Sequence, residues 1–382
     1  MTFKKVVNIG IAVTLTAFTF GCNVNDGDDN ETISPPDNYE FSRDGSSSVA
    51  YPGQTDRLKM LDEIDSYVGK GDKGEELSEQ ALLDMYENKD GNGGGNFDFT
   101  SDRQLKNKTF PNDLDNNFYE NLFAQASAAS KKGTQASNGQ AGLIARADGD
   151  NILVDANGRE FGQLIEKGLM GSVFYHQIFN VYLTDDRIGP DVDNSNLEEG
   201  KNYTAKEHHF DEAFGYFGAP VDFESDWPES RESEAKFWAD YSNGSDAELG
   251  FNDILMDAFI KGRTAIVNKD QTALTEQVDI LYEKLELLAA ATTIHYINST
   301  LDHLSAGEQG EAFHTLSEAW AFANALKYSP RRKITVDQLT TIQETDFGDN
   351  GNFWNVDSKG LNKAKSTLVE IYPELKDVQD QL

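Results

Sequence analysis

The chain has 382 residues, with 66 acidic side chains against 33 basic ones and a formal net charge of −33 at neutral pH. A surface this negative repels nucleic-acid phosphates and anionic lipid head groups, so no nucleic-acid partner is expected; the acidity itself speaks for solubility in salty water or attraction to cations. With one cysteine in the sequence, neither a disulfide framework nor a thiolate metal cage can form.

Lys4 and Lys5 precede an apolar stretch from Val6 to Phe20 that is too short to span a bilayer comfortably and is closed by Gly21-Cys22. This resembles a bacterial lipoprotein signal, with cleavage before Cys22 and lipidation of its thiol, although Thr19 and Phe20 stand where an aliphatic and a small residue are usual. Residues 1–22 are therefore read as a signal peptide. Residues 23–50 are read as a disordered acidic tether: Asn23 to Thr32 nearly lacks bulky apolar groups, and Ser34-Pro-Pro-Asp37 and Ser42 to Ser48 continue in the same style. Acidic residues just behind a lipidated cysteine resemble the export signal of some surface-exposed bacterial lipoproteins; a plain spacer is the other reading. The expected location is the outer membrane, lipid-anchored at Cys22 and facing the cell surface.

Folded sequence is expected from Tyr51 onward, and nearly all of it reads as helix. Leu58, Leu61, Ile64 and Val68 lie at three-to-four spacing, and residues 76–86 repeat the pattern. Asn88 to Gly95 is a glycine-rich loop. Its Asn88, Asp90, Asn92 and Gly93 echo the start of a calcium loop, but Phe99 stands where a bidentate glutamate would close the cage. Helices follow over 114–130, 160–183 and 205–217, separated by a polar break at 131–142, a turn at Asp155-Ala-Asn-Gly158 and a connection holding Gly189-Pro190. Between Pro228 and Pro330 there is no proline, as long helices require, and apolar stripes mark helices over 252–267, 272–302 and 311–328, then 336–342 and 359–372. No sustained strand alternation occurs, so the fold class is all-α.

One phrase occurs twice. His208-His-Phe-Asp-Glu212-Ala-Phe-Gly-Tyr-Phe and His314-Thr-Leu-Ser-Glu318-Ala-Trp-Ala-Phe-Ala share a His-x-x-x-Glu-Ala-aromatic-small-aromatic pattern. In each half a long helix with one histidine, His176 or His295, precedes the helix with the pair. The expected architecture is two pseudo-symmetric helical bundles, a first half over 51–225 and a second over 226–382. Residues four apart share a helix face, so His176, His208, Glu212, His295, His314 and Glu318 are candidate ligands for iron, zinc or manganese where the bundles meet. A structural account competes: a histidine bonded to a glutamate one turn away satisfies two half-buried polar groups. His209 points about 100° around the helix from His208 and makes its own His-x-x-Glu pair with Glu212.

Tyr51-Pro-Gly-Gln-Thr-Asp-Arg-Leu-Lys-Met-Leu, the run from Val154 to Gly171, and Asp211-Glu-Ala-Phe-Gly-Tyr-Phe-Gly resemble a bacterial lipoprotein family catalogued as domain of unknown function 4856, over nearly the whole mature chain. That family is similar to the imelysins, all-α envelope proteins of two helical bundles linked to iron acquisition and first described as peptidases. Their signature is Gly-x-His-x-x-Glu. His209 and Glu212 supply the latter part here, while Glu207 stands at the glycine position. The resemblance implies an imelysin-like fold and a metal ion or metal-containing ligand, with iron or zinc as the cofactor. It also implies a role in iron uptake, with an outer-membrane uptake receptor as partner. A metallopeptidase using Glu212 as general base, and a surface interaction module whose His/Glu pairs only hold the fold, are the alternatives. No His-Glu-x-x-His helix supports the peptidase.

Overall fold

In chain order, a computed structural model describes residues 32–110 and 113–382. The expected signal peptide, Cys22 and the acidic run behind it lie outside the described residues. A two-residue ribbon, β1 (Ser42–Arg43) with β2 (Ser46–Ser47), leads into α1 (Pro52–Asp72), which begins on a proline whose missing N–H costs a helix start nothing. Next come α2 (Glu79–Tyr86), α3 (Asp113–Lys132) and an antiparallel ribbon, β3 (Gly142–Ala145) with β4 (Asn151–Val154). Then α4 (Phe161–Leu169) runs on through two wide π turns, Met170–Tyr175 and Ile178–Tyr182. Short α5 (Asp185–Ile188) precedes α6 (Ala205–Phe217). The second half is α7 (Trp238–Gly244), α8 (Asp246–Leu249), α9 (Phe251–Val267), the long α10 (Gln271–Ala306), α11 (Gln309–Ala325), α12 (Val336–Thr341) and α13 (Ser358–Ile371).

The all-α class holds, with two small ribbons added. The expected strandless stretch from 142 to 154 forms a hairpin because Leu143 pairs with Leu153 and Ile144 with Ile152 across a tight turn. α10 packs between α9 and α11, α11 lies on α4, and α6 lies on α1 and α9. The helices bearing the two His/Glu pairs thus each rest on a helix of the other half, and one continuous apolar core runs through both.

The segment expected as tether is folded from its first described residues. Ile33 exchanges two backbone hydrogen bonds with the Asn268 side chain, at 2.8 and 2.9 Å. Tyr39 is fully buried, stacks on Phe214 at 3.8 Å and donates its hydroxyl to Asp211 at 2.8 Å. A serine- and proline-rich composition concealed two anchoring aromatics, Tyr39 and Phe41, so the boundary near Tyr51 moves back to at least residue 33. The loop at 88–95 does not form a calcium cage: Asn88 spends its side chain on Ser101 O, Arg103 O and the Gly93 N–H, and Phe97 and Phe99 stack at 5.1 Å.

Under this segment lies a buried ionic hub. Arg263 of α9 has no exposed surface; its Nη1 donates to Glu207 and its Nε to Asp211, both at 2.9 Å, and its Nη2 reaches Ser48 O at 3.1 Å. Arg43 clamps Glu207 from the other side, and Asp211 also accepts the Ala50 N–H at 3.1 Å. Glu207 doubles as the third residue of a capping box with Thr204, closing the start of α6. Gly218 ends that helix at φ 87°, where a side chain would also run into the Lys236 carbonyl.

Candidate functional site

The hub fixes Ala50 and the first turn of α6 against each other, and this sets the orientation of His208. The Ala50 carbonyl can only accept, so the 2.9 Å contact to His208 Nδ1 places a proton there and leaves Nε2 with its lone pair when the ring is neutral. Nε2 faces Glu212 Oε2 at 3.9 Å, too far for a hydrogen bond. The other carboxylate oxygen of Glu212 accepts from Gln54 Nε2 at 3.0 Å and Tyr182 OH at 3.1 Å. Tyr203 stacks on the His208 ring at 4.6 Å. His208 and Glu212 line a cavity of about 280 Å³ at the head of α1.

The second pair repeats this arrangement in a more closed setting. His314 Nδ1 donates to the Glu160 carboxylate at 2.7 Å, and Nε2 faces Glu318 at 3.7 Å. Burial alone would lower the imidazole, but the hydrogen bond and charge of Glu160, with the charge of Glu318, hold its pKa above the ordinary value. Glu318 is pushed up to about 7 by burial, against the pull of His314, Lys167 and a hydrogen bond from Tyr296. Asp65 and Asp72 of α1 also rise to about 7, each through burial first, with Glu166 acting next on Asp65 and Glu160 next on Asp72. The surroundings are an acidic cluster in which one imidazole is hydrogen-bonded to one carboxylate and faces a second across a gap.

The structure does not assemble the six expected ligands at one point. The two pairs have no bonding partner in common, and among the described residues no group of three or more His, Cys, Asp and Glu side chains could hold a metal ion. His176 is buried at the end of a π turn, edge-on to Phe110 at 5.0 Å, with Nδ1 unbonded and its pKa lowered to about 4 by burial and the nearby Lys108. Widened turns add residues per revolution and shift every later side chain around the helix, so the 3.6-residue reading misplaced it. His295 is exposed on α10, while its neighbour Tyr296 turns inward to Glu318. His209 is tied to Arg187 through both nitrogens, 2.8 Å to the carbonyl and 3.3 Å to the guanidinium. Sequence reasoning missed Gln54, Glu160 and Tyr182, which come from elements far from the repeated phrase.

Between about pH 4 and 7 the folded protein holds protons on Asp72 and Glu318 that the unfolded chain, at the ordinary values of 3.8 and 4.5, releases. Their contribution to stability is therefore present at pH 4 and lost as pH rises through 7. Asp72→Asn/Glu318→Gln should melt with the parent near pH 4 and a few degrees above it at pH 7.5, a gap that thermal melts across the range would read. A gap that is absent or shrinks with rising pH contradicts the raised carboxyls.

A comparison with curated proteins finds no match, and a comparison with solved structures finds none. The family model described as domain of unknown function (DUF4856) matches residues 36–377, beginning within the folded N-terminal segment that carries Tyr39. The chain belongs to that family.

Proposed function

We propose that the protein is a cell-envelope lipoprotein, held to the outer membrane through Cys22, that binds a metal-containing ligand in the His208/Glu212 cavity in the service of iron or related uptake through an outer-membrane receptor. The observation that carries this reading is the fixed tautomer of His208: its lone pair and a carboxylate oxygen stand 3.9 Å apart at the edge of an open cavity. An imidazole nitrogen and a carboxylate suit iron, zinc or manganese. Two protein ligands leave most of a coordination shell to be filled by others, which favours a metal arriving with its own chelating groups over a bare ion. Glu212 has one oxygen occupied by Gln54 and Tyr182, an arrangement that positions a ligand rather than frees a general base. His314 and Glu318 serve the fold in this reading, as their burial supports. The matching tie at Nδ1 and the matching gap at Nε2 in both pairs support an imelysin-like duplicated plan, with His208 rather than His209 taking the metal.

No helix among the described residues is long and apolar enough to cross a membrane. Two measurements test the reading. Purified from residue 23 onward without chelator and supplied with iron or zinc, the protein should carry near-stoichiometric metal by elemental mass spectrometry. His208→Ala should lose it while still folded, and His314→Ala should keep it; no metal, or metal indifferent to His208, overturns the site. Expressed with its full sequence, the protein should fractionate with membranes and the Cys22→Ala form should not; identical fractionation would remove the anchor.

A further inference from the structure

The same cavity has a charge opposite to that of the protein around it. Arg57, Arg103, Lys108 and Lys201 line it, against the single carboxylate of Glu212, in a chain with twice as many acids as bases. Among the described residues Arg57, Lys108 and Lys201 form no ion pair within 4 Å, and Arg103 meets only the exposed Asp102. Arg57 is 5 % exposed, and its charge is held in place by two carbonyls, Gln104 O at 2.8 Å and Gly53 O at 3.0 Å, rather than by an acid. Burying a cation without a counterion is costly, and it is tolerated where a ligand supplies the missing charge.

The backbone is shaped to the same end. Gly53 sits where a Cβ would come within 3.1 Å of Arg103 Nε and 3.4 Å of Arg57 Nη1, so the absent side chain lets two guanidinium groups converge. The cavity also lies at the first turn of α1, where the helix dipole adds positive potential. Lys108 lies with its ammonium 3.5 Å from Tyr182 OH, and burial together with Arg57 lowers its pKa. Each cation raises the cost of its neighbours, and an anion placed among them relieves all of the repulsion at once.

We infer that this cavity is a binding site for a small oxyanion ligand, a compact carboxylate or phosphate compound, held by Arg57, Arg103, Lys108 and Lys201 with Gly53 at its floor. At about 280 Å³ it falls at the small end of ligand cavities, which limits the occupant to a compact molecule. Planar guanidinium forks match carboxylate and phosphate oxygens in pairs, and the lysines add charge with less directional demand. The inference concerns the cavity used by the metal reading but needs no metal, so either can fail alone.

Isothermal titration of chelator-treated, dialysed protein with citrate and, separately, inorganic phosphate at low salt tests it. One-to-one binding of either probe is expected, with Kd at least tenfold weaker in Lys108→Gln/Lys201→Gln and at least tenfold weaker in Arg103→Gln, whose thermal melts should match the parent. Citrate alone binding assigns a carboxylate ligand, and phosphate alone assigns a phosphate. Failure of both probes to bind, or affinities unchanged in the two variants, overturns the proposal whatever the metal content proves to be.

Discussion

Arg263 is the constraint on which the rest of the structure depends. A guanidinium with no solvent contact must meet carboxylates in good geometry, and Glu207 and Asp211, one turn apart on α6, supply them. Their oxygens in turn recruit Arg43, Tyr39 and the Ala50 N–H from the segment ahead of α1. One buried ion network thereby joins the N-terminal segment, α6 and α9 at fixed distances. Glu207 serves twice, as a charge partner of Arg263 and as part of the capping box that starts α6.

The cavity follows from the hub. With Ala50 pinned, its carbonyl fixes the His208 tautomer, and the next residues, Tyr51 to Gln54, start α1 beside Glu212. A different register at Ala50 would turn His208 away and separate Gln54 from Glu212. The second pair has the same internal geometry and another fate. There Glu160 replaces a neutral carbonyl as the orienting acceptor; its hydrogen bond and charge raise His314 against the effect of burial, while burial itself keeps protons on the nearby carboxyls. The orienter is a neutral carbonyl beside an open cationic cavity in one pair and a carboxylate inside an acidic cluster in the other.

Helix periodicity made the all-α class and most helix spans legible, because apolar stripes at three-to-four spacing survive any tertiary context. The His/Glu pairs were legible as local geometry, since i,i+4 residues share a face wherever the helix goes. Whether the two pairs converge was not legible, because that depends on helix packing that spacing does not encode, and the π turn at Met170–Tyr175 shifted His176 around the helix. The N-terminal segment was misread for a compositional reason: Tyr39 and Arg43 hold it through long-range bonds that a serine-rich average hides. Some of the missing site residues did leave a trace. Gln54 and Glu160 fall within phrases on which the family resemblance rests, where they were read for kinship and not for a site, whereas Tyr182 lies outside all three.

The buried Arg263 network holds the N-terminal segment, α6 and α9 together, and urea unfolding of Arg263→Met against the parent tests this most directly. Leaving Glu207 and Asp211 buried without their cation should cost about 3–5 kcal/mol of stability. A variant within about 1 kcal/mol of the parent would show that the hub carries little, and would contradict the account.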